Sequence, residues 1–419
     1  MDIKEKVLKG REERALLING YLIDFSTVIS IKANIAGYDK KNFLSYMIIN
    51  AFTFLINEFK DSKHYYHSND DGPFIIIVCK ERNALSIKNK ILEIEEKHEL
   101  GRLVDIDVYN KKGKISRNVK RKCYICDDNA FNCVRTNKHK YEEVMEYITD
   151  KTNEYYQKRI YELIDFSILS ELNLDPKFGL VTPVSSGSHK DMDYFLMIEA
   201  KNAIIHYLIE MFFVSCQIKD INKLIHALQE IGLRAETDMF SITKGVNAYK
   251  GLIFNLGLMV SCFGYKISQF TTKNIFDLSK DFSNILFKDY KYETSSYGDI
   301  FYRKYQLSGI KGEALAGFIH VQEGLEILKD FSWNSRINTL VYYIINIEDT
   351  SFLKRAKSLE YYYSVKDMFT KLNTDNIDEI KSLNDYCIKN QLTFGGSADL
   401  LVLTVFTKKI KDFWLKFTG

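Results

Sequence analysis

Apolar positions follow two different patterns along the chain, and the change between them predicts two kinds of structure. Residues 27–31, 74–78 and 103–108 are short stretches rich in β-branched side chains, which predict strands. Residues 43–59 and 86–100 carry apolar side chains at helical spacing. The first part of the chain therefore predicts a mixed α+β domain.

Beyond about residue 140, long helical patterns dominate and strand signals are few. The helical patterns cover residues 141–172, 191–217, 221–231, 249–263, 312–328 and 340–347. Only three prolines, Pro73, Pro176 and Pro183, are available to interrupt helices. We therefore expect a multidomain chain, with an α+β domain over residues 1–150 and a mostly all-α domain over residues 151–419.

Net charge, apolar runs and cysteine count indicate the cellular compartment and the classes of partner. The formal net charge is only +3, so neither nucleic acid nor an anionic membrane is an expected partner. The first residues, MDIKEKVLKGREERALL, lack the apolar run of a secretory signal, and no apolar stretch reaches the roughly 18 residues of a membrane span. The odd count of seven cysteines favours reduced thiols. A cytoplasmic protein is expected.

Asp105 and Asp107 are the first candidates for chemistry. They stand at i and i+2 in a predicted strand, so their side chains should point to the same face. Two carboxylates on one face suit Mg²⁺, which prefers one or two carboxylates together with substrate phosphates. A strand with a solvated acidic face would give the same pattern.

A basic, cysteine-rich stretch follows. Cys123, Cys126, Cys133 and His139 have the spacing C-x2-C-x6-C-x5-H. Thiolates and imidazole are good zinc ligands, so this set is a candidate zinc site. The spacing beyond the first pair is not that of a standard zinc finger, and the sequence favours packed free cysteines beside phosphate-binding arginines.

These segments together resemble the citrate lyase holo-acyl-carrier-protein synthase family over about residues 5–145. The resemblance rests on Arg11-Glu12-Glu13-Arg14, Asn34-Ile35-Ala36-Gly37, Gly101-Arg102-Leu103-x-Asp105-Ile106-Asp107-Val108, Arg121-x-Cys123-x-x-Cys126, Ala130, Cys133-x-Arg135 and His139. It implies transfer of a phosphoribosyl-dephospho-CoA group to a serine of the citrate lyase acyl carrier subunit, with release of diphosphate. Asp105 and Asp107 would hold Mg²⁺, and phosphate contacts would come from Arg102, Arg121 and Arg135, with His139 as a further candidate.

The segment around residue 190 resembles a helix start. Ser188 is placed to cap the helix, with Asp191 three residues later as in a capping box. On that helix His189 and Asp193 would share one face, and the glycine-containing loop before it would favour a phosphate. Capping accounts for Asp191 and leaves His189 and Asp193 as candidates.

Further clusters along the second part each pair a glycine or small residue with an acid or a lysine. They centre on Glu236, on Asn247 to Gly251, on Lys311 to Glu313, on Asp349 and on residues 395–400. Any one cluster could be a capped helix start. Several in one helical domain predict a polar site among helix ends, with acids that bind metal.

The ordered set resembles the triphosphoribosyl-dephospho-CoA synthase family over about residues 155–419. The matching pieces are Pro176-Lys177-x-Gly179-Leu180-Val181, Gly187-Ser188-His189-x-Asp191-Met192-Asp193, Glu236-x-x-Met239, Gly245-Val246-Asn247-x-x-Lys250-Gly251, Gly312-Glu313-Ala314, Asp349-Thr350 and Gly395-Gly396-Ser397-Ala398-Asp399-Leu400. It implies that a ribose hydroxyl of dephospho-CoA displaces adenine from ATP, through a transition state with oxocarbenium character. The acids Asp191, Asp193, Glu236, Glu313, Asp349 and Asp399 would stabilise the sugar or bind Mg²⁺, and substrate contacts would come from His189, Asn247, Lys250, Gly251, Lys311 and Ser397.

Three positions depart from that family's pattern. Phe178 stands in place of proline, Tyr249 in place of the usual histidine, and Lys311 in place of a common arginine. Tyr249 cannot titrate near neutral pH as histidine does, and Lys311 lacks the bidentate fork of arginine.

The expected function is thus a bifunctional enzyme with ATP, dephospho-CoA and the carrier protein as partners. The alternative is a zinc- or nucleic-acid-binding regulator fused to a degenerate helical domain.

Overall fold

The computed structural model describes residues 2–59, 62–80, 83–117, 121–126, 128–269, 271–288, 291, 293–294 and 296–413. It divides into two compact units. The first contains the described residues up to Arg159 together with residues 267–269, and the second contains residues 160–266 and 271–413. The predicted combination of an α+β part and a mostly helical part is confirmed.

The first unit is built on an antiparallel sheet. In chain order its elements are α1 (Ile3–Asp24), β1 (Thr27–Ala33), α2 (Phe43–Asn50), α3 (Leu55–Glu58), β2 (Lys63–Asn69), β3 (Gly72–Cys79), α4 (Ala84–Lys97), β4 (Val104–Asn110), β5 (Gly113–Lys114), α5 (Ala130–Thr136) and α6 (Tyr141–Leu172), the last of which continues into the second unit. The strand order is β2-β3-β1-β4-β5, with β1 in the centre.

Helices cover both faces of this sheet because its central strands are buried on both sides. On one face, Ile18 of α1 packs against Val28, Phe74, Ile76 and Val78. On the other face, α2 contacts β1 and β3, and α4 contacts β4. Because side chains alternate along β1 and β3, the two strands contribute apolar side chains to both faces of the sheet.

The three predicted strands are confirmed as β1, β3 and β4, but two details differ from expectation. Strand β2, with the sequence KHYYHSN, was not predicted, because it is half-buried and polar and gains its conformation by pairing with β3. The single helix predicted over residues 43–59 is two helices, because turn residues 51–54 separate α2 from α3.

The second unit consists of helices in the part of the chain that the structure describes. They are α7 (Tyr194–Gln217), α8 (Ile221–Ile242), α9 (Lys250–Gln269), α10 (Ile275–Leu286), α11 (Tyr297–Tyr305), α12 (Gly309–Leu315), α13 (Ile319–Ile327), α14 (Trp333–Asn346), α15 (Thr350–Ala356), α16 (Leu359–Thr370), α17 (Ile377–Lys389) and α18 (Gly395–Phe413). Most side chains of α9 and α18 are buried.

Helices α7 and α9 approach closely because α9 carries glycines at the contact. A Cβ on Gly257 would lie 2.6 Å from Met211 Sδ, and one on Gly264 would overlap the backbone carbonyl of Phe212. Helix α9 is also long and apolar enough to span a bilayer by length and composition, and 83% of that apolar window is buried inside the protein. Its apolar surface is thus used for packing between helices.

Helix ends in the second unit differ from the predicted ones for identifiable reasons. Helix α8 continues past Gly232 to Ile242, since a single glycine is tolerated within a helix. The helix predicted over residues 312–328 is divided into α12 and α13, because Gly317 adopts a φ of +76°. Such a backbone conformation ends an α-helix and favours glycine.

Candidate functional site

Asp105 and Asp107 occupy one face of β4, as the spacing predicted. Val104, Ile106 and Val108 are buried, and the two aspartates between them are partly exposed. Arg121 Nη1 lies 2.7 Å from Asp105 Oδ1, and Lys114 Nζ lies 2.7 Å from Asp107 Oδ2. Each carboxylate therefore already faces a cation.

A cavity of about 990 Å³ lies beside this strand within the first unit. Its charged lining is mostly cationic and includes Lys40, Arg102, Arg117, Arg121 and Lys122. Arg121 reaches from the lining to β4, where its Nη2 donates to the Val104 carbonyl at 2.8 Å. Such a lining suits a polyphosphate. Asp105 and Asp107 do not belong to the lining, and Asp105 is connected to it through Arg121.

The predicted phosphate-binding residues of this half do not all line the cavity. Arg102, Arg121 and His139 belong to the lining, whereas Arg135 is exposed on α5 and is not part of it. Arg102 donates to the backbone carbonyls of Lys122 and Cys123. One donor group of Arg102 is therefore used to hold the neighbouring loop.

Glu95 of α4 holds two arginines of the cavity lining in place, a role that was not predicted. Its carboxylate is buried, forms ion pairs with Arg117 and Arg121, and accepts from the Ile106 backbone N–H at 3.2 Å. Burial raises the pKa of Glu95, and the two arginines oppose that shift. This role has no signal in the sequence, because Glu95 stands among several charged residues of an amphipathic helix.

A second unpredicted cluster surrounds Asp71 at the turn between β2 and β3. This fully buried carboxylate is paired with Lys32 Nζ at 2.6 Å and with Arg11 and Arg14 of α1 at 3.2 Å each. Burial lowers the pKa of Lys32 to about 8. Lys32 lies opposite Asp105 in the sheet, so this net positive cluster adjoins the paired aspartates.

The four candidate zinc ligands come together in space. Cys126 Sγ lies 3.6 Å from Cys133 Sγ and 3.3 Å from His139 Nε2, and the ligand atoms of all four residues, Cys123 included, lie within 4.8 Å of one another. A hydrogen bond from the Asp128 backbone N–H, followed by one from His139, lowers the pKa of Cys126 to about 6. Burial raises the pKa of Cys133 to about 12.

The second unit contains its own polar cavity, of about 290 Å³. It gathers many of the residues predicted for the second reaction, namely His189, Asn247, Lys250, Gly251, Glu313, Asp349 and Asp399. The lining also includes Glu171, Lys177, Tyr249 and Glu348. Helix starts of α9, α15 and α18 surround it, as the repeated pairs of glycine and acid indicated.

Asp399 is the most perturbed acid of this cavity. Burial raises the pKa of Asp399 well above its usual value, and nearby Asp349 and Glu171 raise it further. Its carboxylate lies against Gly251, where a Cβ would overlap Oδ2. Tyr249 is buried beside it, and its hydroxyl has no hydrogen-bond partner among the described residues. The Asp399 carboxyl and the Tyr249 phenol thus both line this cavity.

Asp349 has a different role, because its hydrogen-bonding capacity is already used. Oδ1 accepts from the Ser351 and Phe352 backbone N–H groups at 3.0 and 3.1 Å, which caps α15. Oδ2 accepts from the backbone N–H and the hydroxyl of Ser397 at 2.9 and 3.1 Å. Asp349 and Ser397 therefore join the starts of α15 and α18.

Two buried polar pairs complete the wall of the cavity. Lys177 Nζ donates to Glu171 Oε1 at 2.6 Å, and both side chains are almost fully buried. His189 Nε2 lies 3.0 Å from Thr393 Oγ1, and burial, then the Arg355 charge, lowers the pKa of His189. His189 is thus mostly neutral at pH 7 and suited to hydrogen bonding.

Glu313 and Glu348 occupy another side of the same cavity. Glu313 Oε1 is 2.5 Å from His320 Nδ1, a partner that was not predicted, and raises the pKa of that histidine. Glu313 Oε2 is buried without a hydrogen-bond partner among the described residues. Glu348 accepts from the Ser308 backbone N–H at 2.7 Å, at the start of α12.

Five predicted residues do not line the cavity. Ser397 is one of them, because it is fully buried and hydrogen-bonded to Asp349. Asp191 and Asp193 are exposed, Glu236 is paired with Lys250 at 2.7 Å, and Lys311 is paired with the buried Asp299 at 2.6 Å. The predicted capping box at Ser188 is wrong. Helix α7 begins at Tyr194, and Asp193 caps it by accepting from the Leu196 backbone N–H.

That helix start also removes the basis for pairing His189 with Asp193. Residues 189–193 are not helical, so the two side chains do not share a helix face. Both Ser188 and Asp193 are good capping residues, and the chain uses the later one.

Comparison with known proteins gives one match for each half of the chain. Residues 3–155 match the family described as apo-citrate lyase phosphoribosyl-dephospho-CoA transferase (CitX), and residues 157–417 match the family described as ATP:dephospho-CoA triphosphoribosyl transferase (CitG).

Relatives of similar length combine both halves. Protein CitXG of Leuconostoc mesenteroides subsp. cremoris is 30% identical, over 97% of this chain and 96% of its own length. Protein CitXG of Haemophilus influenzae is 29% identical, over 96% and 95% respectively. The 2-(5''-triphosphoribosyl)-3'-dephosphocoenzyme-A synthase of Haemophilus ducreyi is 27% identical, over 67% of this chain and 98% of its own length.

Proposed function

The chain belongs to the CitX and CitG families, one in each half, and we infer that it is a bifunctional transferase that makes the citrate lyase prosthetic group and attaches it. In the first reaction, a ribose hydroxyl of dephospho-CoA forms a bond to the anomeric carbon of the ATP ribose. The bond from that carbon to adenine breaks, and the triphosphate stays on the product. In the second reaction, a serine hydroxyl of the acyl carrier subunit takes the phosphoribosyl-dephospho-CoA group and diphosphate leaves.

Each half of the chain contains one of these cavities, and we assign one of the two reactions to each. We assign the carrier-protein reaction to residues 1–150 and the adenine-releasing reaction to residues 151–419. The observation that best supports the assignment is the contrast in charge. Among the charged residues, cations prevail in the lining of the first cavity, which suits a triphosphate, and carboxylates prevail in the lining of the second, which suits a cationic sugar transition state.

Asp105 and Asp107 fit a Mg²⁺ ion at the first site. They are partly exposed, share one strand face, and form ion pairs with Arg121 and Lys114, which can turn to a phosphate instead. When bound, Mg²⁺ would neutralise charge on the leaving diphosphate. Arg102, Arg121 and Lys40 would then orient the phosphates in line with the serine hydroxyl.

Asp399 is the proposed acid of the second site. Burial raises the pKa of Asp399 and so favours its protonated form, which makes it the proposed donor of a proton to adenine as the bond to the ribose breaks. The proton lost from the attacking hydroxyl requires a base, and Glu313 Oε2, buried without a partner among the described residues, is the proposed acceptor. Asp349 and Ser397 position Asp399 by fixing the start of α18.

Departures from the family pattern fit this scheme. The Tyr249 hydroxyl would contact a substrate, because it is buried and faces the cavity without a protein partner in the described part of the chain. Lys311 would stabilise α12, which carries Glu313, through its ion pair with Asp299. Cytoplasmic ATP and dephospho-CoA would supply both reactions, and we place the protein in the cytoplasm.

The test is incubation of the full chain with ATP, dephospho-CoA, Mg²⁺ and the apo form of the carrier subunit. Adenine release is measured by chromatography and the carrier mass by mass spectrometry. We expect adenine release, and a mass increase equal to one phosphoribosyl-dephospho-CoA group. If neither adenine release nor a mass shift is observed, the assignment is refuted. Adenine release without a mass shift would restrict the assigned activity to the second half.

A further inference from the structure

We propose that Cys123, Cys126, Cys133 and His139 bind one zinc ion that fixes the loop beside the cationic cavity. The proposal does not depend on the transferase activity, because it rests on the ligand geometry and on the packing of the segment. It replaces the interpretation of these residues as packed free thiols, which the sequence spacing alone favoured.

The separations between the ligand atoms fit a tetrahedral ion. Zinc binds sulfur at about 2.3 Å and imidazole nitrogen at about 2.0–2.1 Å, so neighbouring ligand atoms in a tetrahedral site are roughly 3.5–3.8 Å apart. The separations here are 3.6 Å from Cys126 Sγ to Cys133 Sγ and 3.3 Å from Cys126 Sγ to His139 Nε2. The largest separation in the set is within 4.8 Å, so side-chain movements of about 1 Å complete the site.

The histidine is oriented as a metal ligand. Its Nε2 faces the cysteines, and its Nδ1 lies 3.7 Å from the Glu143 carboxylate. Histidines that bind metals usually direct the other ring nitrogen to a carboxylate or carbonyl, which fixes the ring and raises its basicity. Glu143, in the first turn of α6, places its carboxylate on that side of the ring, slightly beyond hydrogen-bond distance.

The backbone around the first two cysteines forms a short turn of the kind that presents thiolates. Lys122 and Asn129 form an antiparallel bridge, and the Cys123 N–H donates to the Asp128 carbonyl at 2.7 Å. This bridge joins the two ends of the segment that contains Cys123 and Cys126.

Few side chains of helix α5 are buried. It has seven residues, and Cys133 is its one buried residue, while Phe131 and Val134 are 69% and 77% exposed. A helix this short is not stable alone in water and needs tertiary contacts. The start of α5 is held by the Ala130 backbone N–H, which donates to the Arg121 carbonyl at 2.9 Å, and a metal bond through Cys133 would fix the rest of the helix.

The proposed ion is structural and acts through the neighbouring arginines. All four positions would be filled by protein ligands, which leaves no open position for a substrate. Arg121 precedes Cys123 by two residues, and Arg102 donates to the carbonyls of Lys122 and Cys123. Zinc would therefore hold Arg102 and Arg121 at the cavity wall.

The experiment uses the full chain, purified without a metal-binding tag under anaerobic conditions and reconstituted with zinc. Metal analysis should find about one zinc per chain in the wild type and less than about 0.1 in the Cys126→Ser/Cys133→Ser double variant. Cys79→Ala is the matched control, since Cys79 is another buried thiol of the first unit outside the cluster, and it should retain zinc.

Cobalt substitution of the wild type tests the ligand set without any variant. Co²⁺ should give the intense visible bands of a tetrahedral ion and thiolate charge-transfer bands in the near ultraviolet. Removal of the metal should lower carrier modification while adenine release stays within about twofold, because the second cavity is separate.

Three results would overturn the proposal. The first is a wild type that binds less than about 0.1 zinc after reconstitution, and the second is wild-type zinc content in the double variant. The third is a Cys126–Cys133 disulfide, found by mass spectrometry of protein prepared anaerobically in the absence of reductant. A failure of either transferase reaction would refute the proposed function and leave the metal measurements unaffected.

Discussion

Gly251→Ala should separate the stability of the second unit from its chemistry. Gly251 is the second residue of α9, and a methyl group there would meet the Asp399 carboxylate well inside the 3.0 Å that real Cβ atoms keep. Since Asp399 is the neighbour within 4 Å, its carboxylate must move by roughly 1 Å. A displacement of that size at a reacting group costs on the order of 10²-fold in rate.

The same substitution should hardly affect folding. Alanine has a better helix propensity than glycine by up to about 1 kcal/mol, which offsets the cost of moving one side-chain end. Adenine release should thus fall about 100-fold, while the free energy of unfolding changes by less than about 1 kcal/mol. Carrier modification from pre-formed triphosphoribosyl-dephospho-CoA should be unchanged.

Gly298→Ala is the matched control, since Gly298 is the second residue of α11 and a Cβ there meets nothing within 4 Å. Initial rates of adenine release are measured by chromatography at saturating ATP and dephospho-CoA, and stability by urea unfolding. If Gly251→Ala released adenine within about threefold of Gly298→Ala, the carboxylate of Asp399 would not need its present position.

Three further predictions test the remaining assignments. Asp107→Asn should lower carrier modification by about 10²-fold or more and leave adenine release unchanged, and wild-type modification would remove Asp107 from the metal site. Asp399 has a raised pKa, so the stability it contributes is full below its unfolded value of about 4 and is lost as pH rises toward the folded value. Urea unfolding from pH 4 to 8 should therefore show the wild type losing stability relative to Asp399→Asn, and parallel pH profiles would contradict the shift. Lys311→Ala should lower the free energy of unfolding by about 3 kcal/mol, because it breaks an ion pair with the buried Asp299. Lost adenine release with unchanged stability would instead assign Lys311 to phosphate binding.

Local sequence signals predicted the elements whose own side chains determine them. Strands β1, β3 and β4 are runs of β-branched or alternating apolar residues, so their positions followed from the sequence. Strand β2 could not be found this way, because its lysine, histidines and tyrosines acquire strand structure by pairing with β3. The true cap of α7 was missed because two suitable residues compete within one short loop.

The candidate sites were predicted where the motif residues are also neighbours in space. The acids at 349 and 399 and the glycine at 251 meet in one cavity, which the ordered motifs indicated. Glu95 and Glu171 could not be predicted, since each is one acid among several on a charged helix. Their importance comes from burial against Arg117 and Arg121 in one case and Lys177 in the other, and burial depends on the complete fold.

The sharing of one carboxylate by two helix starts has a consequence for how this enzyme can evolve. Asp349 accepts hydrogen bonds from the start of α15 and from Ser397 in α18, so a change at position 349 or 397 disturbs both segments at once. Natural variation should then be correlated between these two distant stretches and rare in either alone. Adaptation to altered substrates is expected to proceed through Tyr249 and Glu348, which can change without breaking that connection.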